Sequence, residues 1–235
     1  MLNFFSNIPA GGTVFNCLAV ILGSLIGMAA GKFISEKMST TIFNCMGLFT
    51  IYVGINMALA TKNSILVLLS LVFGTVTGEF FNLDFKLNSL GDFLKSKFHS
   101  SNKNFTNGFV TATLLFCIGS MGILGALNDG IKHDPELLLT KGTMDGIMSV
   151  LLAGSFGSGV VCSIIPMFIY QGSLTFLASF CEPFITPEIL SDLSGLGGLM
   201  VIAIGTNLLK ITSLKLGDML PALIYLFLFS IFIIA

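Results

Sequence analysis

The chain has 235 residues, 54% of them hydrophobic and only 10% charged, with a mean hydropathy of +0.95 and a formal net charge of −1. Soluble domains carry about 25% charged residues, so this chain has too few to cover a water-facing surface, and lipid is the solvent that removes the difficulty. The near-zero charge balance leaves no basic footprint for a nucleic-acid partner.

The expected architecture is all-α: a single transmembrane domain over residues 1–235, built as a polytopic bundle of about eight helices. The first apolar run covers residues 12–30 and stops at Lys32, Glu36 and Lys37. It lacks the positive flank and cleavage site of a signal peptide, so it reads as a retained helix. The second covers residues 41–60 and ends at Lys62-Asn63; the third covers 64–81. A polar connector follows over residues 82–104, where Leu83, Leu87, Leu90 and Leu94 recur at helical spacing among Lys86, Asp92, Lys95 and Lys97. That pattern predicts an amphipathic helix on the cytoplasmic membrane surface.

The fourth run covers residues 105–127 and closes at Asn128-Asp129-Gly130. From Gly142 to Cys181 Asp145 is the only charge, a length that suits two spans divided at Gly157-Ser158-Gly159. The sixth helix would then contain Pro166 and Gln171-Gly172. Proline removes a backbone donor and glycine loosens the helix, so a break at mid-membrane is predicted there. After an acidic loop (Glu182, Pro183, Pro187, Glu188, Asp192), the last two helices cover residues 193–209 and 216–234.

An internal repeat is visible. Residues 47–56 read G-L-F-T-I-Y-V-G-I-N and residues 198–207 read G-L-M-V-I-A-I-G-T-N. Gly23-Ser24-Leu25 likewise matches Gly172-Ser173-Leu174, whereas Gly12-Thr13 aligns passably with Gly142-Thr143 of the fifth helix, a competing match that counts against the repeat. The first three helices thus resemble the last three, an odd number of spans away, as in the inverted repeats from which many transporters are built.

Polar groups inside apolar runs cost free energy unless paired, so each is a candidate site. The amides are Asn16, Asn56, Gln171 and Asn207; the acids near helix ends are Glu79, Asp129, Asp145 and Asp218. No lysine is expected deep in a span, so a buried carboxylate would be protonated or bind a cation. Gln171, with backbone freed at Pro166 and Gly172, is expected to bind a solute, Asn56 and Asn207 to line two entrances, and Asp129 and Asp145 to attract a cation. The small-residue face of the first helix (Ala19, Gly23, Gly27, Gly31) predicts close helix packing or, alternatively, a homo-oligomer interface.

Enzymatic chemistry has little support: His99 and His133 fall in loops and there is no G-x-S-x-G or H-E-x-x-H pattern. Five cysteines stand singly without a C-x-x-C pair, so no metal, cofactor or disulfide framework is expected.

Several motifs together resemble a known family. They are G-T-V-F-N at residues 12–16, F-V-T-A-T-L-L-F-C-I-G-S-M at 109–121, Asp129-Gly130, Asp145-Gly146 and G-S-G-V at 157–160. They continue through residues 166–175, G-G-x6-G-x-N-L at 197–208 and Leu220-Pro221-Ala222. The chain resembles the bacterial membrane proteins grouped as domain of unknown function 554, the YdfK-like group. The resemblance implies a multi-pass inner-membrane protein with a transport-related role, and it carries over no substrate and no catalytic residue. Asp218 departs from the amide expected at its position. The expected function is a transporter or channel for a small solute or ion, with cation or proton coupling; the alternative is a non-transporting scaffold or regulatory subunit.

Lysine placement predicts orientation. With the N-terminus outside, inward loops carry Lys32, Lys37, Lys86, Lys95, Lys97, Lys103, Lys210 and Lys215, against Lys62, Lys132 and Lys141 in outward loops. An alkaline phosphatase fusion after His133 is therefore expected to be active and one after Lys103 inactive. The opposite pattern would invert the topology.

Overall fold

The computed structural model describes residues 5–6, 8–31, 36–181 and 185–234, and the regular structure of those residues is helical throughout. Lys32, Glu182 and Pro183 lie outside the described residues. The helices are α1 (Gly11–Gly31), α2 (Glu36–Ala58), α3 (Ser64–Phe80), α4 (Leu83–Lys97), α5 (Phe105–Cys117) and α6 (Ser120–Lys132). There follow α7 (Glu136–Phe156), α8 (Gly159–Cys162), α9 (Ile164–Phe176), α10 (Ala178–Cys181) and α11 (Pro187–Leu208). A 3-10 turn (Leu216–Met219) leads into α12 (Pro221–Ile234).

Five segments are long and apolar enough to cross a membrane: α1, residues 40–58 of α2, α7, the stretch Gly159–Phe176 and α11. Two helix pairs, α3 with α4 and α5 with α6, would each make a further span bent by 60° and 62°. Every predicted run thus corresponds to one or more helices. The last, α12, is a shorter apolar helix of 14 residues.

Three local differences from expectation have clear causes. The fourth run is broken after Cys117, where Gly119 adopts φ +143°, a conformation reserved for glycine. The sixth, by contrast, is unbroken at Pro166 and Gly172. Pro166 falls in the first turn of α9, where a missing N–H is harmless. Finally, α7 starts at Glu136, directly after Pro135, so Lys141 lies inside the helix and not in the preceding loop. The division at Gly157 is as expected; its φ of +75° ends α7. In α4, Leu83, Leu87 and Leu94 are at least partly covered, while Leu90, Phe85 and Phe93 remain exposed.

The chain forms two compact units, interleaved in sequence. Unit 1 comprises Met1–Ile42, Leu90–Cys117 and Met121–Pro183; unit 2 comprises Phe43–Ser89, Ile118–Ser120 and Phe184–Ala235.

Unit 1 is organised on the contact of α1 with α7, which run parallel. The glycine face of α1 is taken up within the chain. A Cβ on Gly23 would overlap the Gly146 carbonyl oxygen, one on Gly27 would overlap that of Val150, and one on Gly31 would stand 2.7 Å from that of Gly154. Ser149 Oγ donates across the contact to the Val20 carbonyl at 3.2 Å. Without a hydrophobic drive between helices in lipid, such close backbone approach supplies the packing attraction. Gly23, Gly27 and Gly31 are therefore interior packing residues here, the first of the two expectations for that face.

Unit 2 pairs α2 with α11 and α3 with α12, both antiparallel. A Cβ on Gly47 would meet the Gly205 carbonyl oxygen at 3.1 Å, and one on Gly54 that of Gly198 at 2.8 Å. A Cβ on Gly74 would meet Ala222, and one on Gly78 would overlap the Asp218 carbonyl oxygen. Thr77 Oγ1 and the Tyr225 hydroxyl are hydrogen-bonded at 3.0 Å across the second pair.

Gly23→Ala forces α1 and α7 apart and is expected to cost roughly 1–3 kcal/mol, the usual range for overpacking. The chain has no tryptophan, so thermal unfolding in detergent followed by circular dichroism is the suitable readout. An unshifted melting temperature would contradict this packing.

Candidate functional site

The polar residues of unit 1 converge on the end of α5. Helix α5 stops at Cys117, leaving the carbonyls of its last turn without partners inside the helix. The Lys141 ammonium, carried on α7, donates to the Phe116 carbonyl at 2.9 Å. It also forms an ion pair and hydrogen bond with Asp145, one turn further along α7. Asn16 on α1 donates from Nδ2 to the same Asp145 oxygen at 3.0 Å, and to Gln171 Oε1 on α9 at 3.3 Å. Gly122 on α6 keeps the far side clear: a Cβ there would lie 3.3 Å from Lys141 Cε and 3.7 Å from Gln171 Nε2.

All four side chains are buried; Lys141 is 7% exposed, Asn16 and Gln171 0%. A buried charge is tolerated only when paired and hydrogen-bonded. Here one ammonium meets one carboxylate and the negative end of a half-helix, so the ion pair is balanced. Two atoms of the cluster have no partner among the described residues, the Asn16 Oδ1 acceptor and the Gln171 Nε2 donor. Next to Gln171, Gly172 is buried, yet a Cβ built on it would meet nothing within 4 Å. The cluster thus presents one free acceptor and one free donor, with open space beside Gly172.

Of the residues predicted for the site, Gln171 and Asp145 are brought together, joined by Asn16. The expectation that no lysine lies deep is overturned by Lys141, which sits in the second turn of α7. Its signals in the sequence are the Asp134-Pro135-Glu136 helix start and the four-residue spacing to Asp145. Asp129 plays a different part, since its Oδ2 accepts from the Gly12 N–H at 3.0 Å and so caps α1. Gly12 must be glycine, because a Cβ would lie 2.6 Å from Leu138 Cβ. Pro166 lies in the first turn of α9, three residues after the step at Ser163 that separates α8 from α9.

The two remaining amides belong to unit 2 and are used locally. Asn56 donates to the Tyr52 carbonyl of its own helix and is exposed. Asn207 holds the 209–215 loop, donating to the Leu214 carbonyl at 2.8 Å and accepting from the Leu214 N–H at 2.9 Å. Asp218, expected in the first turn of the last helix, lies in the 3-10 turn before it, where it accepts from the Asp84 N–H at 2.9 Å; Asp84 in turn accepts from the Gly217 N–H. Exposed Glu79 accepts from Lys215 at 3.0 Å, and this bond and its charge raise the pKa of the lysine. Unit 2 also has a recess of about 430 Å³ bordered by Lys62, Ser64, Glu188 and Asp192. Its Asp192 carboxylate already accepts from the N–H groups of Lys62 and Asn63.

Known proteins resemble this chain over nearly its whole length. It is 34% identical over 217 residues to the uncharacterized membrane protein YdfK of Bacillus subtilis (strain 168), covering 91% of this chain and 92% of the relative. It is 29% identical over 218 residues to the uncharacterized protein YqgA of Escherichia coli (strain K12), covering 91% of this chain and 93% of the relative. No solved structure matches it. The family described as protein of unknown function DUF554 matches residues 11–231, and this membrane protein belongs to that family.

Proposed function

We propose that this chain is a carrier or channel for a small polar solute without net charge, bound at the Asn16–Lys141–Asp145–Gln171 cluster. The carrying observation is the pair of buried amide atoms without partners among the described residues, one of them on Gln171, whose chain neighbour Gly172 has open space where its Cβ would stand. An unsatisfied buried polar atom costs about 1–3 kcal/mol, and a ligand with one donor and one acceptor recovers that. The ion pair is balanced, so a neutral or zwitterionic solute leaves no uncompensated charge in a low-dielectric site. The break between α5 and α6 supports the same reading, because discontinuous helices carry substrate sites in many transporters.

In this reading the protein sits in the bacterial inner membrane with its N-terminus outside, is not an enzyme, and carries an inverted repeat. The repeat is supported by the reciprocal glycine contacts of unit 2. The motif equates Gly47 with Gly198 and Gly54 with Gly205. The contacts join Gly47 to Gly205 and Gly54 to Gly198, the pattern that a pseudo-two-fold axis between α2 and α11 produces.

Proteoliposomes challenged with small amides, polyols and neutral amino acids test the proposal. Gln171→Ala is expected to slow flux of the accepted solute by roughly tenfold, the worth of one hydrogen bond, and Asp145→Asn to slow it as well. Gly172→Ala is the sharper variant. It clashes with nothing and improves helix propensity, so it should keep or raise the melting temperature while reducing flux. Unchanged flux in all three removes the site assignment. Absence of any flux, with a stoichiometric partner recovered from native membranes, favours the scaffold reading.

A further inference from the structure

Discontinuous transporter helices commonly place a metal cation at the carbonyl end of a half-helix. In this chain that place is filled from within. The Phe116 carbonyl, at the exposed end of α5, is bonded to the Lys141 ammonium at 2.9 Å, and the counter-charge on Asp145 is bonded to the same ammonium. Two further buried amide oxygens belong to the same cluster. Gln171 Oε1 and Asn16 Oδ1 belong to fully buried side chains, and Asn16 Oδ1 has no partner among the described residues.

We infer that Lys141 is a tethered replacement for a coupling cation, so that the site needs no metal ion while the lysine is present and takes up sodium once the ammonium is removed. Asp145 is buried and carries a charge that must be balanced. The α5 terminus contributes a further partial negative charge of about half an electron. A lysine ammonium is a compact point charge, comparable in role to a monovalent ion and held by oxygens alone. Its side chain lies against Gly122, where a Cβ would approach Cε at 3.3 Å, so truncation to alanine leaves a hole next to the Phe116 carbonyl and the Asp145 carboxylate that held the ammonium. Hard oxygen donors of this kind favour an alkali cation over a transition metal.

The inference rests on the same cluster as the proposed solute site but not on transport, and its test uses stability instead of flux. The full chain is purified in detergent and unfolded thermally with circular dichroism as readout, in sodium chloride and in choline chloride at equal concentration. Wild type is expected to melt at the same temperature in both salts. Lys141→Ala is expected to be destabilised in choline and to gain roughly 5 °C or more when about 100 mM sodium replaces it, the size of shift that saturable binding to the native state produces. Lys141→Met with Asp145→Asn, which removes both charges and refills the hole, should lose the sodium response.

A wild-type protein stabilised by sodium as much as Lys141→Ala would overturn the inference. So would a folded Lys141→Ala that ignores sodium. If Lys141→Ala cannot be recovered, Lys141→Gln is run in the same way; failure of both to fold in sodium also counts against the inference, because sodium is expected to restore the missing charge. A null result in the flux assay, with these shifts as expected, would remove the transport reading and leave this one standing.

Discussion

The ammonium of Lys141 is the interaction on which unit 1 depends. A helix that ends inside an apolar medium exposes carbonyls that neither water nor the next turn can satisfy. One lysine resolves that for α5, and one aspartate resolves the lysine. Asn16 then ties the carboxylate to α1, and Gln171 ties the amide to α9. Four helices are thereby held around a single charge-balanced centre. Each partner is required because the others would be costly without it.

The glycines make such a centre geometrically accessible. Lipid offers helices no hydrophobic reason to associate, so attraction comes from close backbone approach over small residues. On α1 the small face lets α7 come near enough for Asn16 to reach Asp145. A Cβ on Gly142 would lie 2.9 Å from the Asn16 Cα, which shows how little room separates the two helices at the level of the cluster. Packing and chemistry are therefore set by the same contact. In unit 2 the same device joins α2 to α11, and carboxylates tie loops to backbone N–H groups: Asp192 to residues 62 and 63, Asp218 to Asp84, and Asp84 to Gly217. Several of the acids that stand out in the sequence thus hold ends and loops, as Asp129 does for α1, while Asp145 sits in the polar cluster.

Individual residues show what is legible in the sequence and why. Gln171 and Asp145 stand out because an amide or acid in a long apolar run is expensive wherever it lies. Glycine spacing on α1 announces a packing face, though not its partner. Lys141 escapes notice because a basic residue beside a predicted loop is ordinarily assigned to that loop, and its depth follows from a helix start five residues earlier. Pro166 draws attention as a helix breaker, yet its effect depends on its position within the turn; it falls in the first turn of α9, and the residues after it stay helical. The actual break, at Gly119, has a weaker signature, a single glycine within a continuous apolar run.

Composition and hydropathy by themselves determined that the chain lives in lipid, that it is helical, and roughly where each helix runs. Those properties follow from the local demand that every residue and backbone group find a tolerable solvent. Which side chains meet was decided only by tertiary structure. Residues 16, 116, 141 and 171 are brought together by helices whose mutual packing depends on shape at the glycine contacts, a property of surfaces in three dimensions that no one-dimensional spacing encodes.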